Sequence, residues 1–341
     1  MKRIFTWFVA GLMAISTLAA CAKGNSTSPG APSSGTKGST LDISIFAGGI
    51  PKLSPTGIGI DAMIAEIDEK SGGSIHATAY YDTELGDAKS MVQGMLEGTI
   101  DIGVSGDSYY AGIVPKIQVF ELPFLFETVE QARAAVDGPA QEVIFKELEE
   151  QGIIGLAFWE NGMRQLTNNV KPIRSLADLQ GIKLRTLPAA IQVEAWKTLG
   201  ALPTSIDIAE LYTALQVGTV SGQENPFAEI EYKKFYEVQP YLTVTNHVYT
   251  PFLMGLSKRT ADKMTPEQLE IVKNAALTGQ KVQRAAAEEA QITAKENMLE
   301  YGMEMVEDAD LAEFREVAKS VYPMFTETNG QEILDIVKGT K

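Results

Sequence analysis

The chain reads as an α/β protein of two lobes with a long C-terminal helix running between them. Three observations carry that reading. Strand-like apolar runs alternate with helical patterns, which implies open, mainly parallel sheets covered by helices. The ~300 residues that follow an apolar leader and a polar stretch are more than one core usually serves. Near the C-terminus one helical pattern continues too far to fit a single lobe.

Taken in order, Lys2 and Arg3 precede an apolar run from Ile4 to Leu18, closed by Leu18-Ala19-Ala20-Cys21. A basic start, a short apolar core and small residues before the break form a secretory signal over residues 1–20. The run is too short to span a ~30 Å hydrocarbon core comfortably. It resembles the lipobox of bacterial lipoproteins, which implies cleavage before Cys21 and a lipid on its sulfur. Cys21 is the only cysteine, so no internal disulfide is possible. Residues 21–40 continue as a Ser/Gly/Thr/Pro-rich linker, a flexible leash with a typical reach of about 25 Å.

The body begins at Leu41-Asp42-Ile43-Ser44-Ile45-Phe46, which alternates at period two. A helix is expected from Gly59 to Lys70, a strand from Ser74 to Tyr80, a helix from Gly86 to Leu96 and a strand from Ile100 to Val104. Ile153 to Phe158 has the composition of a strand buried on both faces. Met95-Leu96-Glu97-Gly98-Thr99-Ile100-Asp101 and Leu215-Gln216-Val217-Gly218-Thr219-Val220-Ser221 repeat one unit, in which a helix ends, Gly stops it and a strand follows. Thr265-Pro266-Glu267-Gln268 then opens a helix with a capping box. Apolar and small residues from Leu269 to Ala290 recur at helical spacing, and no proline intervenes before Gly302. Such a helix is about 54 Å long and crosses from lobe to lobe, with Gly279 marking a kink or a close backbone contact.

Charge and composition narrow the chemistry. The net charge is −15, and −17 once Lys2 and Arg3 leave with the signal. An acidic surface without basic clusters disfavours nucleic acid. His76 and His247 are the only histidines, each in a strand-like segment and read as structural. No cysteine remains in the body, and no phosphate loop, nucleophile elbow or His-Glu-x-x-His pair occurs, so no cofactor or metal is expected. Asp101, Asp107, Glu121, Glu160 and Glu224 leave a carboxylate-dependent hydrolase open, although solvated faces and caps account for most acidic residues.

The segment from Trp159 to Pro226 is the informative one. It carries Gly162-Met163-Arg164, Lys183-Leu184-Arg185 and Gln223-Glu224-Asn225-Pro226, with Glu84-Leu85-Gly86-Asp87 upstream and Phe235-Tyr236-Glu237-Val238-Gln239 downstream. Together these blocks resemble the solute-binding proteins of tripartite ATP-independent (TRAP) transporters, the DctP family, over essentially the whole body. The resemblance implies a periplasmic-binding-protein-like fold: residues 41–161 plus about 251–285 form lobe I, and 162–250 plus about 286–341 form lobe II. It implies an organic-acid ligand in an inter-lobe cleft and membrane permease subunits as partners. Arg185 matches the arginine that pairs with the ligand carboxylate, a role suited to a permanently charged fork of two donors. Arg164 and Asn225 match residues that often assist. Tyr109 and Trp159, with Tyr80 and Tyr110, are candidates for the cleft wall, and Glu84 for accepting hydroxyls. Where sialic-acid-binding members carry an acidic residue and an arginine, this chain has Gly106 and Tyr109, which argues against a nine-carbon sugar acid. Sugar acids, C4-dicarboxylates and 2-oxo or aromatic acids all fit. The rival readings are a binding lipoprotein of an ABC importer or sensor kinase, and the hydrolase.

Overall fold

A computed structural model describes residues 40–339. The expected signal, the lipidated Cys21 and the linker up to residue 39 lie outside the described residues. Eleven strands in that range form two sheets. β1 (Leu41–Gly48), β2 (Ile75–Asp82), β3 (Ile102–Gly106) and β4 (Ile153–Met163) belong to the first. β5 (Gln165–Asn168), β6 (Lys183–Thr186), β7 (Leu202–Ser205), β8 (Gly222–Asn225) and β9 (Tyr241–Thr243) belong to the second. β10 (Tyr249–Ser257) returns to the first sheet and β11 (Glu304–Val306) completes the second. The spatial orders are β2-β1-β3-β10-β4 and β11-β9-β5-β8-β6-β7.

Each sheet is parallel except for one strand, β10 in the first and β5 in the second. Both are places where the chain changes sheets. β4 leaves the first sheet at Met163, and after Arg164 the same run becomes β5. The return passage from β9 to β10 lies alongside, with the Arg164 amide donating to Val248 O at 3.0 Å and Tyr249 opposite Met163. Arg164 therefore stands at the double crossover between lobes.

Local signals explain the remaining boundaries. The first helix starts at Pro55, four residues ahead of expectation, because Ser54 caps it by accepting from the Gly57 amide and Pro55 is preset for the first turn. The repeated Gly stops do the same job in both lobes: Gly98 (φ 78°) precedes β3 and Gly218 (φ 76°) precedes β8.

The long helix spans Pro266–Glu300, 35 residues, and opens with the expected Thr265/Gln268 capping box. Its Val272, Ala275 and Ala276 pack into the first sheet's core, while Ala294 and Met298 pack into the second's. Gly279 marks a close contact. A Cβ there would lie 2.7 Å from Trp159 Cζ2 and 2.8 Å from Gly59 O, so the backbones of helices Pro55–Ser71 and Pro266–Glu300 nearly touch. Farther along, the Gln283 amide is paired in both directions with the Glu160 backbone, at 2.9 and 2.6 Å.

One expectation needs correcting. Residues from about 286 to 341 are expected in lobe II, yet helices Tyr322–Asn329 and Gln331–Gly339 cover the first lobe, where Phe325, Ile333, Leu334 and Val337 are buried in one cluster with Ile117, Ala132 and Ile144. Each large apolar side chain so buried contributes about 1.5–3 kcal/mol. That outweighs any preference set by chain order.

Candidate functional site

The carboxyl ends of parallel strands from both sheets meet at one small cavity. Gly48 ends β1, Gly106 ends β3 and Asn225 ends β8, while Arg185 lies on β6 and Arg164 at the crossover. Ligand sites of open α/β sheets sit in this place. The cavity measures about 30 Å³, only a few waters' worth at roughly 10–15 Å³ each, so its walls are drawn together. Contacts between the lobes hold them there. The Ile208 amide donates to Tyr109 Oη at 3.4 Å, and Lys233 Nζ lies 2.6 Å from Asp82 Oδ1.

Charge distinguishes this cavity from a larger open groove of about 720 Å³ beside helix Ala88–Glu97, whose charged lining residues Asp87, Lys89 and Glu97 are all exposed. Both cavity arginines are fully buried. Arg164 donates through Nε to Glu224 Oε2, and through Nη2 to Glu224 Oε1 and Asn225 Oδ1, each at 2.9 Å for Nη2. Arg185 donates only through Nε, to Ile206 O at 2.8 Å. Arg164 Nη1 and both Arg185 Nη atoms are buried with no partner among the described residues. A buried, unanswered guanidinium nitrogen is costly, and three such donors belong to arginines that line one cavity.

The network behind the arginines fixes their aim. Glu224 also faces His247 Nε2 at 3.1 Å, and His247 Nδ1 faces Thr245 Oγ1 at 2.7 Å. Burial depresses the imidazole pKa, so the neutral ring donates from Nε2 to Glu224 and accepts at Nδ1. Burial would raise Glu224, yet Arg164 and His247 bring it down to about 2. Asn225 Nδ2 donates to Gln223 Oε1 at 2.6 Å, and Gln223 Nε2 to Thr167 Oγ1 at 2.8 Å. Nearby, Asp107 and Glu121 are fully buried acids. Burial, then the neighbouring Glu121 charge, holds Asp107 well above the carboxylate range, and burial also raises Glu121. Two such groups share a proton more readily than they bear two charges. Gln192, from the second lobe, donates to Glu121 Oε2 at 2.7 Å.

The cavity lining thus includes Arg164, Arg185, Asn225 and Tyr109 from the sequence-derived candidates. Two others lie elsewhere. Glu84 is exposed in the turn after β2, its carboxylate accepting from the Tyr81 amide at 3.1 Å. Trp159 is wholly buried in the core, where Nε1 donates to Ala276 O at 3.2 Å and fastens the long helix. Tyr110 is likewise a core residue, its hydroxyl donating to Leu253 O. His247 is structural as read, and His76 is exposed on edge strand β2. Sequence reasoning passed over Glu229 and Asn161, which line the cavity. Their signal was adjacency: Glu229 follows Asn225 by one helical turn, and Asn161 sits in the crossing strand.

The family model for bacterial extracellular solute-binding proteins, family 7 (DctP), matches residues 46–329. The chain is 33% identical over 274 residues to the 2,3-diketo-L-gulonate-binding periplasmic protein YiaO of Escherichia coli (strain K12), covering 80% of this chain and 84% of that protein. Its fold superposes on a TRAP periplasmic solute binding protein from Polaromonas sp. JS666 bound to D-erythronate, with a TM-score of 0.85, 32% identity, and 88% and 99% of the two chains covered. The sugar acid binding protein DctPAm from Advenella mimigardefordensis strain DPN7T, in complex with galactonate, gives 0.83 and 32% over 89% and 99%.

Proposed function

Because the chain belongs to the DctP family of bacterial extracellular solute-binding proteins, we propose that it captures a small organic acid in the cavity between its lobes and delivers it to the membrane subunits of a TRAP transporter. The family places its work outside the cytoplasm, and no helix among the described residues is long and apolar enough to cross a membrane. The single observation that carries the ligand reading is the set of three buried, unpartnered guanidinium nitrogens on Arg185 and Arg164.

The ligand carboxylate takes both Nη atoms of Arg185 in a two-pronged contact, and Arg164 Nη1 supplies a third donor. Asn225 and Glu224 hold Arg164 at the crossover. Tyr109 closes the wall from the first lobe against Ile208 of the second. Lobe I and lobe II move about the double crossover, and the closed arrangement is favoured when an anion answers the arginines. The protein is a receptor with no turnover of its own. It is tethered through lipid on Cys21, the reading that its leader sequence supports.

Arg185→Ala tests the ligand reading. Calorimetry against a panel of sugar and dicarboxylic acids should find binding weaker by at least ~2 kcal/mol, the cost of stripping a buried carboxylate of its charged partner. Affinity close to that of the parent protein would remove Arg185 from the site.

A further inference from the structure

Glu229 is a third charged side chain at the cavity, and nothing described so far uses it. It sits in helix Phe227–Tyr232, immediately after the Gln-Glu-Asn-Pro segment, with 7% of its surface exposed. It lines the cavity with the two arginines, yet its carboxylate accepts no hydrogen bond from any described residue. Lys233, one turn on, is already engaged by Asp82 across the cleft. Asn161, also in the lining and almost fully buried, leaves its side-chain amide similarly unengaged among the described residues. A buried carboxylate without donors is unfavourable, and the neighbouring protein provides none. A ligand that carries donors would complete it.

Charge pairing says what kind of ligand brings them. Arg164 is answered by Glu224, and His247 is neutral, so among the described residues Arg185 is the cavity cation that forms no ion pair. One carboxylate on the ligand answers it. A second carboxylate would be buried beside Glu229 with no cation left, and like charges in a closed cavity repel strongly. Hydroxyl groups would donate to Glu229 and exchange hydrogen bonds with Asn161.

We infer that Glu229 sets the ligand class: it accepts a hydroxyl of a polyhydroxylated monocarboxylic acid and excludes acids with a second carboxylate. The inference rests on the organic-acid reading above and narrows it. Burial raises the Glu229 pKa, which agrees with a group that lacks donors until a ligand arrives.

Three four-carbon acids separate the possibilities by calorimetry on the purified protein: D-erythronate, succinate and butyrate. Erythronate should bind at least 30-fold more tightly than either of the others. In Glu229→Gln, which keeps the shape and removes the charge, erythronate should weaken at least fivefold and succinate should strengthen about tenfold. The unliganded melting temperature verifies that the variant is folded, and if it is not, the ratio in the parent protein decides. Succinate binding as tightly as erythronate, or an unchanged ratio in the variant, overturns the role of Glu229 while leaving the organic-acid reading intact. Failure of all three acids to bind, alongside an Arg185→Ala protein that still binds some other solute, overturns both.

Discussion

Arg164 and Arg185 are alike in kind, in burial and in the cavity they face, but they are wired oppositely. Burial lowers the pKa of either guanidinium. For Arg164 the Glu224 carboxylate more than reverses this, whereas for Arg185 burial wins and the net shift is downward. One arginine is largely engaged within the protein: its Nε and Nη2 are taken up by Glu224 and Asn225, and Nη1 alone is left over. The other has, among the described residues, a single backbone acceptor. The difference separates a charge paired at the crossover from a charge that no described side chain answers.

Three measurements on the unliganded protein would break or sharpen that contrast. The largest effect belongs to Arg164→Met, which strands Glu224 as a buried charge. Urea unfolding should reveal a loss of about 3–5 kcal/mol, and a loss under 1 kcal/mol would mean that Glu224 does not depend on Arg164. Arg185→Met should move the other way. Exchanging an unanswered buried cation for an apolar stem should stabilise the empty protein by about 1–3 kcal/mol, read as a higher melting temperature. A lower one would show that Arg185 is already satisfied.

The smallest effect tests the acids beneath. Asp107 has a folded pKa above its unfolded value, so its contribution to stability is complete below roughly pH 4 and fades as pH rises toward the folded value. Asp107→Asn supplies a permanent donor to Glu121 without that dependence. Its melting temperature should therefore gain on the parent's between pH 5 and pH 8, by the equivalent of about 1 kcal/mol. A difference that stays flat or narrows with pH would remove the shared proton. Glu224, whose folded pKa is depressed to about 2, works in the opposite sense: it stabilises above roughly pH 4.5 and loses that contribution as pH falls, in both proteins alike.

Much of the fold was legible because its signals are local. Thr265, Gly98 and Gly218 act within one helical turn, and the length of Pro266–Glu300 follows from an unbroken run, whereas the Ser54 cap was overlooked. The antiparallel strands β5 and β10 were not legible, since their direction depends on which sheet the chain is entering. Nor was the placement of the last two helices, whose apolar faces would suit either lobe until the surface around Ile117 and Ile144 is built. The arginine and Gln-Glu-Asn-Pro blocks pointed to strand ends that line the inter-lobe cavity. Trp159 misled because an aromatic beside the crossover suits a wall and a core equally. Only three-dimensional packing against Gly59 and Gly279 decides between them. Glu229 escaped because its significance lies in what it lacks, a donor, which no linear pattern records.

The contact at Gly59 and Gly279 has a mechanical consequence. Two helices whose main chains meet with no room for even a methyl group between them make a bearing without play. Sliding there would press each glycine against the other's carbonyl oxygen and against the Trp159 ring, which ties the front half of the spine to the first lobe. Any turning of the second lobe would then fall on the residues around Arg164 and Val248 and on the stretch of the spine between Gln283 and Ala294.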